Sequence, residues 1–111
     1  MPNARITDPQ TSHDAAESVR NLTATKLAIL DVLTRSLTDE DLIDRYYYRV
    51  EVGLAPQASP SGIRSRRKEL VVAGLVEGVG FDKTTSGRDT TVWRVTLAGR
   101  EALINSKVAA A

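Results

Sequence analysis

The chain has no cysteine and a single histidine, His13, among its 111 residues. Disulfides and thiolate metal sites are therefore excluded, as is a zinc cage of histidines within one chain. No apolar run approaches the roughly 18 residues that a membrane span requires. The N-terminal MPNARITDPQ lacks the apolar core of a secretion signal, so the cytoplasm is the expected address and no membrane is involved. No nucleophile–base pair, phosphate-binding glycine loop or zinc-finger spacing occurs. His13 beside Asp14 reads as a surface residue at a helix start. Asp39, Glu40 and Asp41 are consecutive carboxylates, which diverge on a helix; complementing the helix dipole explains them without a metal. An enzyme is not expected, nor is any cofactor.

The chain is long enough for one domain with a modest core, and its hydrophobic fraction of 41% is ordinary for a globular protein. The overall charge of +1 conceals an uneven distribution. Residues 1–36 balance four basic against four acidic side chains. Residues 37–59 set Asp39, Glu40, Asp41, Asp44 and Glu51 against Arg45 and Arg49, a charge of −3. Residues 60–111 hold nine basic and five acidic side chains, a charge of +4. One side of the molecule is thereby suited to a polyanion.

Residues 1–10, with Pro2, Pro9 and no hydrophobic period, read as a flexible arm, and 108–111 as a disordered tail. The span 11–107 reads as one domain. Thr11 or Ser12 caps a short helix, HDAAESVRN, with a thin apolar edge of Ala15, Ala16 and Val19. A second helix is expected at about 24–36, after Thr23, with Leu27, Ile29, Leu30, Val32 and Leu33 making it the centre of the core. A third follows Thr38 as N-cap, with Leu37 and Leu42 spaced for a hydrophobic staple and Leu42, Ile43 and Tyr46 facing inward. Tyr46, Tyr47 and Tyr48 cannot all be buried, because successive helical residues point about 100° apart. Residues 49–58 read as a connection with a brief extended piece around Val50–Val52.

The stretch Ser59–Gly74, SPSGIRSRRKELVVAG, carries its own start and stop signals: Ser59 as N-cap, Pro60 in the first turn, Gly74 as C-terminal stop. Ile63, Leu70 and Val71 form an apolar stripe, while Ser61, Arg64, Ser65 and Lys68 recur at i, i+3, i+4 and i+7 on another side. A short helix with an apolar stripe and a small-plus-basic stripe fits a DNA major groove. Gly62 permits close backbone approach to a phosphate. Arg66 can pack its stem inward with its head toward a phosphate. Arg67 borders the apolar stripe and has two readings, DNA contact or an ion pair with Asp44, Glu69 or Asp89. Beyond Gly74 the pattern alternates: LVEGVGF (75–81) and TTVWRVT (90–96) flank the turn-rich DKTTSGRD. This is a two-stranded hairpin with Lys83 and Arg88 at a basic tip, and Trp93, Val95 and Leu97 facing the helices. A last helix is expected from Thr96 to about Lys107.

Helices, a recognition helix and a hairpin in this order describe an α+β, mainly α, winged helix–turn–helix. The run ELVVAGLVEGVGFDKTTSGRDTTVWRVTLAGREAL (69–103) resembles MarR-type regulators. In these, a Leu-x-x-x-Gly-Leu-Val step, here Leu70 to Val76, joins recognition helix to wing. A Leu-Thr-x-x-Gly-Arg element opens the closing helix, matched approximately by Val95 to Arg100 with Thr96 and Leu97 in reversed order. Over about residues 7–103, including DPQTSHDAA (8–16) and SPSGIRSRRKELVVAGLV, the chain resembles small winged-helix proteins of actinobacteriophages and prophages. The resemblance implies double-stranded DNA as partner, with Arg64, Ser65 and Lys68 in the groove and Lys83 and Arg88 on phosphate or in the minor groove. MarR-type proteins dimerise through extended terminal helices; this chain offers the short segments 11–21 and 97–107 for a homodimer. The expectation is a phage-encoded transcriptional regulator binding at Ser61, Gly62, Arg64, Ser65, Arg67, Lys68, Lys83 and Arg88. The alternatives are an adaptor that captures a host protein through its acidic third helix, or a DNA-bending accessory factor.

Overall fold

The apolar residues of Ala24–Val32 organise the molecule. In the computed structural model, which describes residues 22–110, this segment is helix α1, with Ala28, Ile29, Leu30 and Val32 buried. The Thr23 hydroxyl accepts from the Lys26 N–H at 3.2 Å and caps its start. Helices α2 (Asp39–Glu51), α3 (Pro60–Val72) and α4 (Leu97–Ala110) all pack on α1. The arm expected over 1–10 and the helix expected over 11–21 lie outside the described residues.

Helix α1 ends at Val32, short of the expected residue 36. Leu33 is fully buried, and its carbonyl accepts from the Val95 N–H at 2.9 Å. The chain is thus drawn off the helix and into strand β1 (Leu37–Thr38), which pairs antiparallel with β3 through Leu37↔Trp93 and Thr38↔Val92. The sheet therefore has three strands in the order β1-β3-β2, not the two of a lone hairpin. A two-residue strand is too short to show an alternating pattern.

Thr38 closes β1 and also caps α2, its hydroxyl accepting from the Asp41 N–H at 3.2 Å. Leu42 and Tyr46, one turn apart, bury the inner face of α2, whereas Tyr47 and Tyr48 are exposed. Leu37 and Leu42 both enter the core, as a staple requires. The buried Tyr46 hydroxyl donates to the Pro56 carbonyl at 2.6 Å, which ties the following connection to α2. Arg49 bonds Asp31 and joins α2 to α1.

The extended piece expected at Val50–Val52 is helix instead. Val52 is the C-cap, Gly53 takes φ +81°, and the Gly53 and Leu54 N–H groups bond the carbonyls of Val50 and Arg49 at 3.1 and 2.8 Å. The β-branched valines favoured an extended reading, but the helix and its glycine stop outweigh that weak preference. Helix α3 ends the same way. Gly74 has φ +79°, and the Leu75 N–H reaches back to the Leu70 carbonyl at 2.9 Å while both side chains are buried.

Strands β2 (Val76–Lys83) and β3 (Asp89–Val95) form the hairpin. A bulge between Gly78 and Gly80 shifts their register. Val95 is buried and Trp93 packs half-buried against the core, but Leu97 is exposed rather than facing the helices. The period changes from two to 3.6 at Thr96, whose hydroxyl accepts from the Gly99 N–H at 3.0 Å as α4 begins. Ala102 and Leu103 carry the buried face of α4, which continues to Ala110 beyond the expected end near Lys107. No helix among the described residues is long and apolar enough to cross a membrane.

Candidate nucleic-acid interface

Helix α3 presents two faces of opposite character. Ile63 and Leu70 are buried, and Ser61, Arg64, Ser65 and Lys68 form an exposed row on the outer side. Among the described residues neither Arg64 nor Lys68 has an ion-pair partner, so both cations stand available. An unpaired exposed cation keeps its charge for an external anion, whereas a paired one must first give up its internal partner.

The start of α3 offers less to a phosphate than the sequence implied. Ser59 caps the helix by accepting from the Gly62 N–H at 3.0 Å, and the Ile63 N–H bonds the Ser59 carbonyl at 2.9 Å. Pro60 has no N–H, so among the first helical donors only that of Ser61 is left. Gly62 is half-buried, and a Cβ there would sit 3.1 Å from the Ser59 hydroxyl. Its smallness serves the cap as much as any approach to a phosphate.

Arg67 stands apart from the row. Its Nε and a terminal nitrogen donate to the two carboxylate oxygens of Asp39 at 2.9 and 2.6 Å, and its guanidinium lies 4.1 Å from the centre of the Trp93 ring. The side chain is 13% exposed. Arg67 does form an ion pair, but with Asp39 in place of Asp44, Glu69 or Asp89. Asp39 opens α2 and Trp93 lies on β3, so one guanidinium joins α2, α3 and the wing. Trp93 gave a sequence signal for this, since it shares strand parity with Val95; the Asp39 partnership, 28 residues away, gave none. Arg66 turns to Glu69 at 2.9 Å, and Glu69 also holds Lys26 of α1 at 3.2 Å.

On the wing, Lys83 and Arg88 are exposed. Lys83 pairs across the hairpin with Asp89 at 2.5 Å, and Arg88 has no ion pair among the described residues. The tip is tied down: the Thr85 N–H and hydroxyl donate to the Glu40 carboxylate at 3.1 and 2.7 Å. Glu40 thus latches the wing to the first turn of α2. Glu40→Ala should speed amide hydrogen exchange at Thr85 while changing global stability by less than about 1 kcal/mol, as for exposed charged contacts. Unchanged exchange at Thr85 would show that the turn is ordered without the latch. Among the described residues no three histidine or carboxylate side chains converge as a metal-ligand set.

Neither a protein-family model nor a curated protein sequence matches this chain. Solved structures of low identity do share its fold. A PadR family transcriptional regulator from Eggerthella lenta DSM 2243 superposes with a TM-score of 0.62 at 17% identity, over 95% of this chain and 86% of that one. A PadR family transcription regulator from Clostridium difficile R20291 gives 0.62 at 11% identity, over 77% and 84%. Bacillus subtilis PadR in complex with operator DNA gives 0.61 at 23% identity, over 75% of this chain and 47% of that one. The fold is a winged helix–turn–helix, with α2 and α3 as the helix–turn–helix and β2–β3 as the wing.

Proposed function

We propose that this protein binds double-stranded DNA as a transcriptional regulator, with the outer row of α3 in the major groove. The observation that carries this reading is that row: Ser61, Arg64, Ser65 and Lys68, exposed on the third helix of a winged helix–turn–helix, with both cations unpaired among the described residues. The likeness to a PadR structure solved with operator DNA supports it. Arg88 and Lys83 on the wing meet the backbone, Lys83 after exchanging Asp89 for a phosphate. Arg67 is left out of the contact set, because Asp39 and Trp93 occupy its guanidinium. Origin in a phage genome, action in the host cytoplasm and control by operator occlusion or recruitment rest on the sequence resemblance of residues 7–103. No cofactor or catalytic step is part of the proposal.

A homodimer through the terminal helices is supported by α4, which exposes Leu97 and Ile104 two turns apart on one face. In such a dimer the half-sites lie about one helical turn of DNA apart.

The test is anisotropy of labelled duplex, random or flanking the protein's own gene, across a salt series. Binding should weaken steeply with salt and favour the flanking DNA. Arg64→Ala and Lys68→Ala should each weaken binding roughly tenfold at unchanged melting temperature. Any variant that loses a phosphate contact should also lower the salt slope by about 0.9. Full affinity in both variants would remove α3 from the groove. Salt-sensitive binding without preference would favour a DNA-bending role.

One observation favours a second reading, the protein adaptor. The exposed part of α2 and its exit combine Asp41 and Asp44 with Tyr48, Val52 and Leu54, the last 69% exposed. A partner retained from nuclease-treated host lysate, together with no duplex binding at low salt, would decide for it.

A further inference from the structure

Phe81 is the only phenylalanine of the chain, and it is 82% exposed on strand β2. Its direction is set by the bulge. Val76, Glu77 and Gly78 pair with Val95, Arg94 and Trp93; after the bulge Gly80 and Phe81 pair with Val92 and Thr91. Without the extra residue, Phe81 would stand opposite Thr90 and point to the other side of the sheet. With it, Phe81 shares the face of Thr91, Trp93 and Val95, since directly opposed residues project the same way and alternate residues of one strand share a face.

That face is turned toward α3. Trp93 lies on it, under the Arg67 guanidinium at 4.1 Å. Arg64, exposed in the outer row, precedes Arg67 by about one turn of α3. Lys83, two residues beyond Phe81, shares the wing face through its pairing with Asp89. The sheet face that carries Phe81 and Lys83 is therefore the one on which Arg67 of α3 rests through Trp93. Among the described residues little covers the ring, which is 82% exposed on an edge strand of the sheet. The Glu40–Thr85 latch holds the hairpin that carries it.

Resting on the DNA-binding reading, we infer that Phe81 is the wing's apolar contact, packing on the deoxyribose wall of a duplex seated on α3. The flanking cations select a polyanion over an apolar partner, and the ring gains by leaving water against the apolar face of the sugars. Because the contact is neither a phosphate pairing nor a base-edge hydrogen bond, it contributes affinity without salt dependence and without sequence preference.

The experiment is the same anisotropy titration with Phe81→Ala and Phe81→Leu, on random and gene-flanking duplex, with sedimentation of each protein alone. Phe81→Ala should bind both duplexes roughly tenfold more weakly, the scale of a truncated aromatic anchor, with the salt slope and melting temperature of the parent. Phe81→Leu, which keeps apolar volume, should fall between. If the parent binds duplex and Phe81→Ala binds equally well, this inference fails while the DNA reading stands. If Phe81→Ala instead abolishes self-association at unchanged DNA affinity, the ring serves an interface between copies and the inference fails. A parent that binds no duplex at low salt overturns both.

Discussion

Replacing Gly99 by alanine should destabilise this protein by about 2–4 kcal/mol, with a fall in melting temperature on the order of 10–20 °C. A Cβ at this position would lie 2.2 Å from the Leu75 carbonyl oxygen and 2.5 Å from Cγ2 of Val95. Neither neighbour can retreat cheaply. The Leu75 carbonyl accepts from the Thr96 N–H at 3.0 Å, and the Val95 N–H is bonded to Leu33 at 2.9 Å. Leu75 and Val95 are themselves buried. Alanine is the better helix former by about 1 kcal/mol, but that gain is smaller than the cost of pushing α4 off the sheet. Thermal and urea unfolding followed by circular dichroism would measure it. Ala98→Ser, at the exposed neighbouring position, should change stability by less than about 1 kcal/mol and serves as the control. A Gly99→Ala protein as stable as the parent would mean that the first turn of α4 is free to slide away from Leu75.

Arg67→Ala should cost about 2–4 kcal/mol, less than for a wholly buried pair because water still reaches part of both groups. The Arg67 and Asp39 side chains are 13% and 19% exposed. Truncating Arg67 leaves the Asp39 carboxylate with its two bonds at 2.9 and 2.6 Å unmade, and uncovers the Trp93 ring. Arg67→Lys should recover little, since an ammonium neither forks onto both carboxylate oxygens nor stacks as a plane on indole. Removing both charges, as Arg67→Met with Asp39→Asn, should restore more than half of the loss, because no unpaired charge then remains. The same unfolding measurements decide it, with duplex affinity as second readout. If Arg67→Ala unfolds like the parent yet binds DNA poorly, Arg67 belongs to the groove and the Asp39 pair is incidental.

Arg67 marks the boundary of what could be read along the chain. Local signals for the helix–turn–helix are strong: Thr38 and Ser59 cap the helices they are expected to cap, Thr23 caps the helix expected to follow it, and Gly74 stops α3 with positive φ. The stripe of Ile63 and Leu70 is buried, and the small-plus-basic row is exposed, because 3.6-residue periodicity decides which side meets the core. Strand β1 has no local signal, since its two residues carry no period and are strand only through pairing with β3 more than fifty positions on. The helical course of Val50–Glu51 was missed because β-branched residues favour strand weakly, whereas packing of α2 favours helix strongly.

The residues alone therefore establish, among the described residues, the order of the helices and the hairpin, the winged architecture and the two faces of α3. Each of these follows from interactions reaching no further than about four residues: caps, glycine stops and hydrophobic periods. Interactions distant in sequence settled everything else. The tertiary fold chose Asp39 among several carboxylates for Arg67, latched the wing to Glu40, and packed Gly99 against Leu75 and Val95. A single bulged residue put Phe81 on the sheet face of Trp93. Which partner a long charged side chain finds, and which way a strand residue points after a bulge, depend on register and packing between distant segments. No local pattern encodes those.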